Sequence, residues 1–151
     1  MGGREDDVGL IRRWFECLAD HVRTVDYVEA RLLFAEDLIA FGTFADFVTG
    51  RDATEKEQWR NIWGTIDDFR CRLDNVRAII SADRLTAVGM ALFDSTGYSE
   101  DGAPYDRPGR ATVVFARAAI GEDWIARHTH FSLVPGVPTR SFKQRPKKVR
   151  D

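Results

Sequence analysis

Cysteine is scarce in these 151 residues: Cys17 and Cys71 are the only two, and they leave no disulfide framework. Cys17 falls in a helical pattern and Cys71 in a strand pattern, so both read as small core or near-core residues in a reduced, cytoplasmic setting. No apolar run approaches the ~20 residues that a membrane span requires. The opening Met-Gly-Gly-Arg-Glu-Asp-Asp is acidic and polar, unlike a secretory signal. Gly2 invites myristoylation, but Asp6 stands where that signal needs Ser or Thr. Histidine is scarce too, with three residues in all, and no internal repeat is visible.

What is present is ordinary for one globular domain. Apolar residues make up 44% and charged residues 30%, and a chain of this length buries roughly two thirds of its extended surface. Net charge is −2, unevenly spread. From Arg140 onward six basic side chains face one acid, Asp151, so the body is acidic and the tail basic. The tail holds one aromatic, Phe142, and no interleaved stacking residues. A solvated tail, or one lying on an acidic body, is favoured over nucleic-acid contact.

Val8, Leu10, Ile11, Trp14, Phe15 and Leu18 recur at helical spacing and predict an amphipathic helix capped by Asp6 or Asp7. A second helix is expected after Thr24, carrying Val25, Val28, Leu32 and Leu33. Leu38 to Val48 reads as a short hairpin closed by Thr49-Gly50. Thr54-Glu-Lys-Glu57 is a capping box, and Trp59, Ile62, Trp63 and Ile66 then form one apolar stripe. Beyond Asp68 the pattern alternates with period two, predicting four long strands at 69–81, 85–95, 110–120 and 124–134. Short turns between them imply antiparallel pairing. Helices first and a meander last make the fold class α+β, with helices on the concave face of a curved sheet. The expected division is a flexible N-terminus at 1–6, one domain at 7–135 and a basic tail at 136–151.

The final strand carries a resemblance. Trp124-Ile-Ala-Arg-His128-Thr-His130-Phe-Ser132-Leu-Val-Pro135 resembles the W-x-x-x-H-x-H-x-S-x-x-P ending of SnoaL-like proteins, of the nuclear-transport-factor-two-like superfamily, and of the calcium/calmodulin-dependent kinase association domain. Gly109-Arg110-Ala-Thr112 and the pair Leu33-Phe-Ala-Glu-Asp37 and Gly50-Arg51 are similar to further segments of that group, and the matches span about residues 8–135. The resemblance implies a cone: a curved, mostly antiparallel sheet wrapped on three N-terminal helices around a single pocket. That fold hosts isomerases, dehydratases, hydrolases, cyclases and plain oligomerisation modules.

His128 and His130 share one strand face about 6.5–7 Å apart with Ser132 and Trp124. They read as a general base, or as hydrogen-bonding residues of the sheet or a subunit interface, which is what the family motif implies even in non-catalytic members. A metal site would need a third ligand from His21 or a remote carboxylate, and no spacing supports one. Resemblance to ketosteroid isomerase places its base near Gly42, its oxyanion tyrosine near Trp14 and its second acid near Phe115 or Ala116, none of which can do that work. Resemblance to the kinase association domain places its cavity arginines at Leu92 and Val113, both apolar here, against a carboxylate pocket of that kind.

The remaining acid–base candidates are His130, Asp94 and Arg117, the last reading equally as an ion pair. Pocket candidates are Tyr27, Trp59, Trp63, Met90, Leu92, Val113 and Phe115, with Asp37 and Asp46 at the mouth; the two tryptophans read as core or as an aromatic wall. The expected function is binding, or binding with cofactor-free transformation, of a hydrophobic small molecule, with no metal or cofactor. The other reading is a non-catalytic association module. A cavity of some hundreds of Å³ with a buried ionisable group would favour the first reading, and a side-chain-filled cone the second. An isologous dimer through the outer sheet face is expected either way.

Overall fold

Ile11, Trp14, Phe15, Leu18 and Val22 recur every three or four residues and fall on one face of helix α1, Arg4–Thr24, where all five are buried. The computed structural model describes residues 2–42 and 46–143. The helix begins at Arg4, inside the segment expected to be flexible, and Gly3 rather than Asp6 or Asp7 takes the cap position. Asp6 reaches back to accept the Gly3 N–H at 2.9 Å. At the other end Val25 adopts a left-handed backbone, φ 53°, and its N–H closes onto the carbonyls of His21 and Val22.

The second helix is shorter than expected. Asp26, not Thr24, caps a single turn, α2, Tyr27–Ala30, which tightens into a 3₁₀ turn at Arg31–Leu33 before strand β1, Phe34–Phe41. The hairpin partner β2, Phe47–Thr49, pairs antiparallel with β1, and the turn between them lies outside the described residues. The third helix starts before the expected capping box, after Gly50 at φ 96°. It runs as α3, Arg51–Thr54, a π-helical stretch Glu55–Trp59, α4, Arg60–Ile62, and a 3₁₀ turn Trp63–Thr65.

The expected strand at 69–81 is two strands, β3, Asp67–Cys71, and β4, Arg77–Ile80, broken by a 3₁₀ turn at Leu73–Asn75. Strand β5, Thr86–Tyr98, is the spine of the sheet. It pairs antiparallel with β3 and β4 along one edge, and along the other with β6, Pro104–Asp106, and β7, Gly109–Ala116. β6 lies inside the segment expected to be loop. Strand β8, Ile125–Leu133, pairs antiparallel with β7 and parallel with β1. Eight strands thus form one sheet with a main order β2-β1-β8-β7-β5-β3. Register shifts in β1–β8, β3–β5 and β7–β8 mark the bulges that bend it.

The sheet's concave face carries small residues where α1 lies: Ala87, Gly89, Ala91 and Ala111 are all buried. A Cβ on Gly89 would meet the Phe115 ring at 2.7 Å and Ile11 at 2.9 Å, so α1 packs down onto bare backbone there. Trp14 meets Phe15, Phe34 and Phe115 edge-on at 5.2, 5.4 and 5.0 Å between centroids, filling the narrow end of the cone.

The segment 139–143 crosses back over the body. The Ser141 hydroxyl donates to the Thr65 carbonyl and accepts the Tyr98 N–H, the Phe142 N–H reaches the Tyr98 carbonyl, and Lys143 pairs with Asp67. This part of the basic tail is therefore docked on its own chain; residues 144–151 lie outside the described residues.

Candidate functional site: an aromatic cavity with a buried arginine

The apolar stripe of the third helix, Trp59, Ile62, Trp63 and Ile66, lines a cavity in the wide end of the cone. Leu18 and Val22 from α1, Phe34 from β1, Phe69 and Phe93 from β3 and β5, and Thr129 and Phe131 from β8 complete its apolar wall. Trp59 and Trp63 stack at 4.9 Å with planes 16° apart, and Tyr27 stacks on the outer side of Trp63 at 5.3 Å. The space measures about 60 Å³, well below the expected size. At about 10–15 Å³ per water on this measure it holds four to six waters, the bulk of a single small ring with a substituent.

Two buried polar side chains line this apolar space, each with one nitrogen that has no hydrogen-bond partner among the described residues. Gln58, on the π-helical stretch, is buried and its Nε2 makes no hydrogen bond among the described residues. Gly42 makes room for it, since a Cβ there would come within 2.7 Å of that nitrogen. Arg107 is 3% exposed and its Nε is likewise unpaired. Burial pulls the guanidinium down from its ordinary pKa, yet arginine stays protonated at neutral pH. Its backbone is held from both sides: its N–H donates to the Ser95 carbonyl at 2.8 Å, and the Ser95 hydroxyl donates to its carbonyl at 2.7 Å. The following Pro108 adds an extended bias, so loop geometry turns this arginine inward. Arg107 and Ile62 also line a groove of about 520 Å³ on the far side, bounded by Asn61, Thr65 and the docked segment 139–143.

The expected site residues scatter. Trp59 and Trp63 line the cavity; Tyr27 backs them from outside. Val113 and Phe115 are fully buried in the packed narrow end, not in the cavity wall. Met90 and Leu92 lie on the opposite, outward face of β5, where alternation also places Asp94. Asp94 is held by a two-point pair with Arg72 at 2.8 Å, both half-exposed, and this pair keeps its pKa below the ordinary carboxylate value. Asp37 pairs with Arg127 on the surface at 3.0 Å, and Asp46 is exposed beside β2.

Arg117 is neither in the cavity nor on the surface. Its Nη2 donates to Asp7 at 2.8 Å, its Nε to the Arg84 carbonyl at 3.0 Å, and its guanidinium lies 3.9 Å over the Trp124 ring. Arg84, at φ 60°, clasps the same carboxylate at 2.6 and 3.0 Å. This buried clasp ties the start of α1 to the sheet, so Arg117 is a structural cation.

His128 and His130 point outward from β8, because the inward parity belongs to Thr129 and Phe131. His128 Nδ1 donates to the Ile39 carbonyl at 2.8 Å, and both rings pack on Phe41, at 5.7 and 5.1 Å. His130 is thus outside the cavity, bracing the β1–β8 pair. Trp14 and Phe115, two of the positions compared with the isomerase set, are apolar core, and Gly42 is a cavity-wall glycine. Burial pushes the Cys71 thiol up to about 12, so it stays protonated. Among the described residues no group of three metal-ligating side chains converges, and no helix is long and apolar enough to cross a membrane.

A bent sheet wrapped on helices around an interior cavity defines an α+β cone domain. Residues 11–136 match the SnoaL-like domain, and the chain belongs to that family within the nuclear-transport-factor-two-like superfamily. Solved structures with the same fold include a nuclear transport factor 2-like superfamily protein of Salmonella enterica, 15% identical with TM-score 0.71, over 87% of this chain and 93% of that one. A ketosteroid isomerase-like protein of Erwinia carotovora is 12% identical with TM-score 0.70, over 85% and 96%. The association domain of C. elegans CaMKII is 14% identical with TM-score 0.62, over 85% and 95%. These likenesses are of fold. No protein of curated function matches the sequence significantly.

Proposed function

We propose that this chain binds a hydrophobic small molecule in the cone cavity, without a cofactor. The observation that carries the reading is an aromatic cavity lined by two buried polar side chains, each with a nitrogen that has no partner among the described residues. An empty apolar core has no use for them, since each costs free energy until something hydrogen-bonds to it. The described wall offers no carboxylate, histidine or thiol for proton transfer, which favours retention of a ligand over its transformation. Native mass spectrometry of protein purified from its own host tests this. A mass excess over the bare chain is expected, and it should persist in His130→Gln, whose ring is outside the cavity. Protein that is always bare counts against the reading; loss of the excess in folded His130→Gln would return that histidine to the site.

The family likeness to an association domain and one feature of the sheet support a homodimer as well. Across the outward face, Ile79, Val88, Val114, His128 and Ile39 stand in one cross-strand row. Its ends, Ile79 and Ile39, are 66% and 42% exposed. Two such rows related by a two-fold axis would cover each other. Sedimentation at micromolar concentration should give twice the chain mass; a monomer there would refute the dimer.

A further inference from the structure

The ligand-binding reading leaves open why a permanent cation sits in the cavity wall. Buried arginines are normally neutralised, because a guanidinium removed from water needs a counter-charge or a full set of acceptors. Every acidic side chain except Asp151 is among the described residues, and none forms a salt bridge with Arg107. Arg51 and Arg117 also have one unpaired nitrogen each, but Arg51 donates to two carbonyls and Arg117 to Asp7. Among the described residues the Arg107 side chain donates to no carbonyl or carboxylate in that way, and of the buried unpaired nitrogens there only those of Arg107 and Gln58 belong to residues that line the cavity.

The chemistry of these two groups narrows what would complete them. Arg107 supplies one positive charge and a flat fork of N–H donors; Gln58 supplies a neutral amide. A planar anion of single charge matches that set, since its two oxygens can take the fork while the amide donates to one of them. A dianionic phosphate would be left with a buried excess of negative charge. The rest of the wall is aromatic, from Trp59 and Trp63 round to Phe69, Phe93 and Phe131. The groove beyond Arg107 gives such a molecule a polar side from which to approach, so the anionic end would be the end nearest water.

We propose that the cavity takes a monoanionic aromatic carboxylic acid, its carboxylate on Arg107 and Gln58 and its ring against the tryptophan wall. This rests on the ligand-binding reading above, and it moves the anchoring charge to a residue that neither Leu92 nor Val113 could supply.

The test uses matched pairs of probes on the full chain: benzoate against benzamide, and phenylacetate against phenylacetamide, with phenyl phosphate as the dianion. Affinity is read by calorimetry, and the location by NMR shifts of the Trp59 and Trp63 indole N–H groups. Each acid should bind about tenfold to a hundredfold more tightly than its amide, the range of one charge-assisted contact. In Arg107→Gln the acid should fall to the level of its amide while the amide hardly changes. Removal of an unpaired buried cation should leave the ligand-free variant melting no lower than wild type. Acids and amides that bind the cavity equally well would overturn the anionic class and leave the ligand-binding reading intact. Tighter binding of phenyl phosphate than of benzoate would also overturn the class. Absence of any cavity shift with every probe would count against both. The acid–amide comparison in the unaltered protein decides the point even if Arg107→Gln fails to fold.

Discussion

Asp7→Asn should lower the stability of the fold by about 3–5 kcal/mol, the range for breaking a buried ion pair from one side. The carboxylate is 2% exposed and receives two guanidinium groups, from Arg84 and Arg117. Arg117 has a side chain with no exposed surface, so neutralising Asp7 strands a cation that cannot turn to water. Chemical denaturation of wild type and variant gives the difference directly. The pH dependence provides a second signature. The hydrogen bond from Arg84 is the largest influence lowering the Asp7 pKa beneath its ordinary 3.8; burial opposes it, and Arg117 adds to it. A carboxylate depressed by folding contributes its full stability above the unfolded value, and that stability drains away as pH falls through the folded value. Wild type should therefore lose stability below about pH 3.8 more steeply than Asp7→Asn. Parallel curves, or a loss below about 1 kcal/mol, would show that the clasp behaves as a surface pair.

Trp63→Ala should cost about 3–5 kcal/mol, the range for deleting a large buried aromatic side chain. Trp63 is 6% exposed and sits between Trp59 and Tyr27 in a three-ring stack. Its removal joins the volume of an indole to the cavity, so the variant should accept larger rings than wild type does. Denaturant titration reads the first effect, and binding of naphthalene-sized against benzene-sized acids reads the second. A variant of undiminished stability that no longer takes up ligand would mean that Trp63 touches only the ligand and supports nothing else.

Much of the architecture is legible in the sequence because hydrophobic period speaks directly to burial. The stripe of α1, the stripe of the third helix and the alternation of β7 and β8 all appear in the fold. Which face of β5 looks inward is not legible by the same rule. The larger residues Val88, Met90 and Leu92 suggest an inward face, yet Ala87, Gly89 and Ala91 take it, because Phe15, Trp14 and Phe115 already fill the cone and leave room only for backbone and methyl groups. Strand size is thus set by what other elements bring to the same space. Arg107 carries no local signal either: an arginine among Asp106, Pro108 and Gly109 reads as solvated loop. Its burial comes from long-range bonds with Ser95, which no short window of sequence contains. Gln58 is hidden for a similar reason, since the π-helical stretch that aims it beside Trp59 departs from the regular turn on which a helical stripe is counted.

The parallel pairing of β1 with β8 has a consequence for the order in which the chain acquires structure. Ile39 and His128 are neighbours across that pair but stand 89 residues apart in sequence. Closing so large a loop costs entropy before its contacts form, and topologies dominated by such pairings fold slowly. On the ribosome β1 emerges long before its partner. Until β8 arrives, β1 has only its short hairpin mate, and the apolar face of α1 covers an unfinished sheet. Nascent chains that stall before residue 125 would expose both, so the stretch of translation between β1 and β8 is when this protein most depends on protection from aggregation.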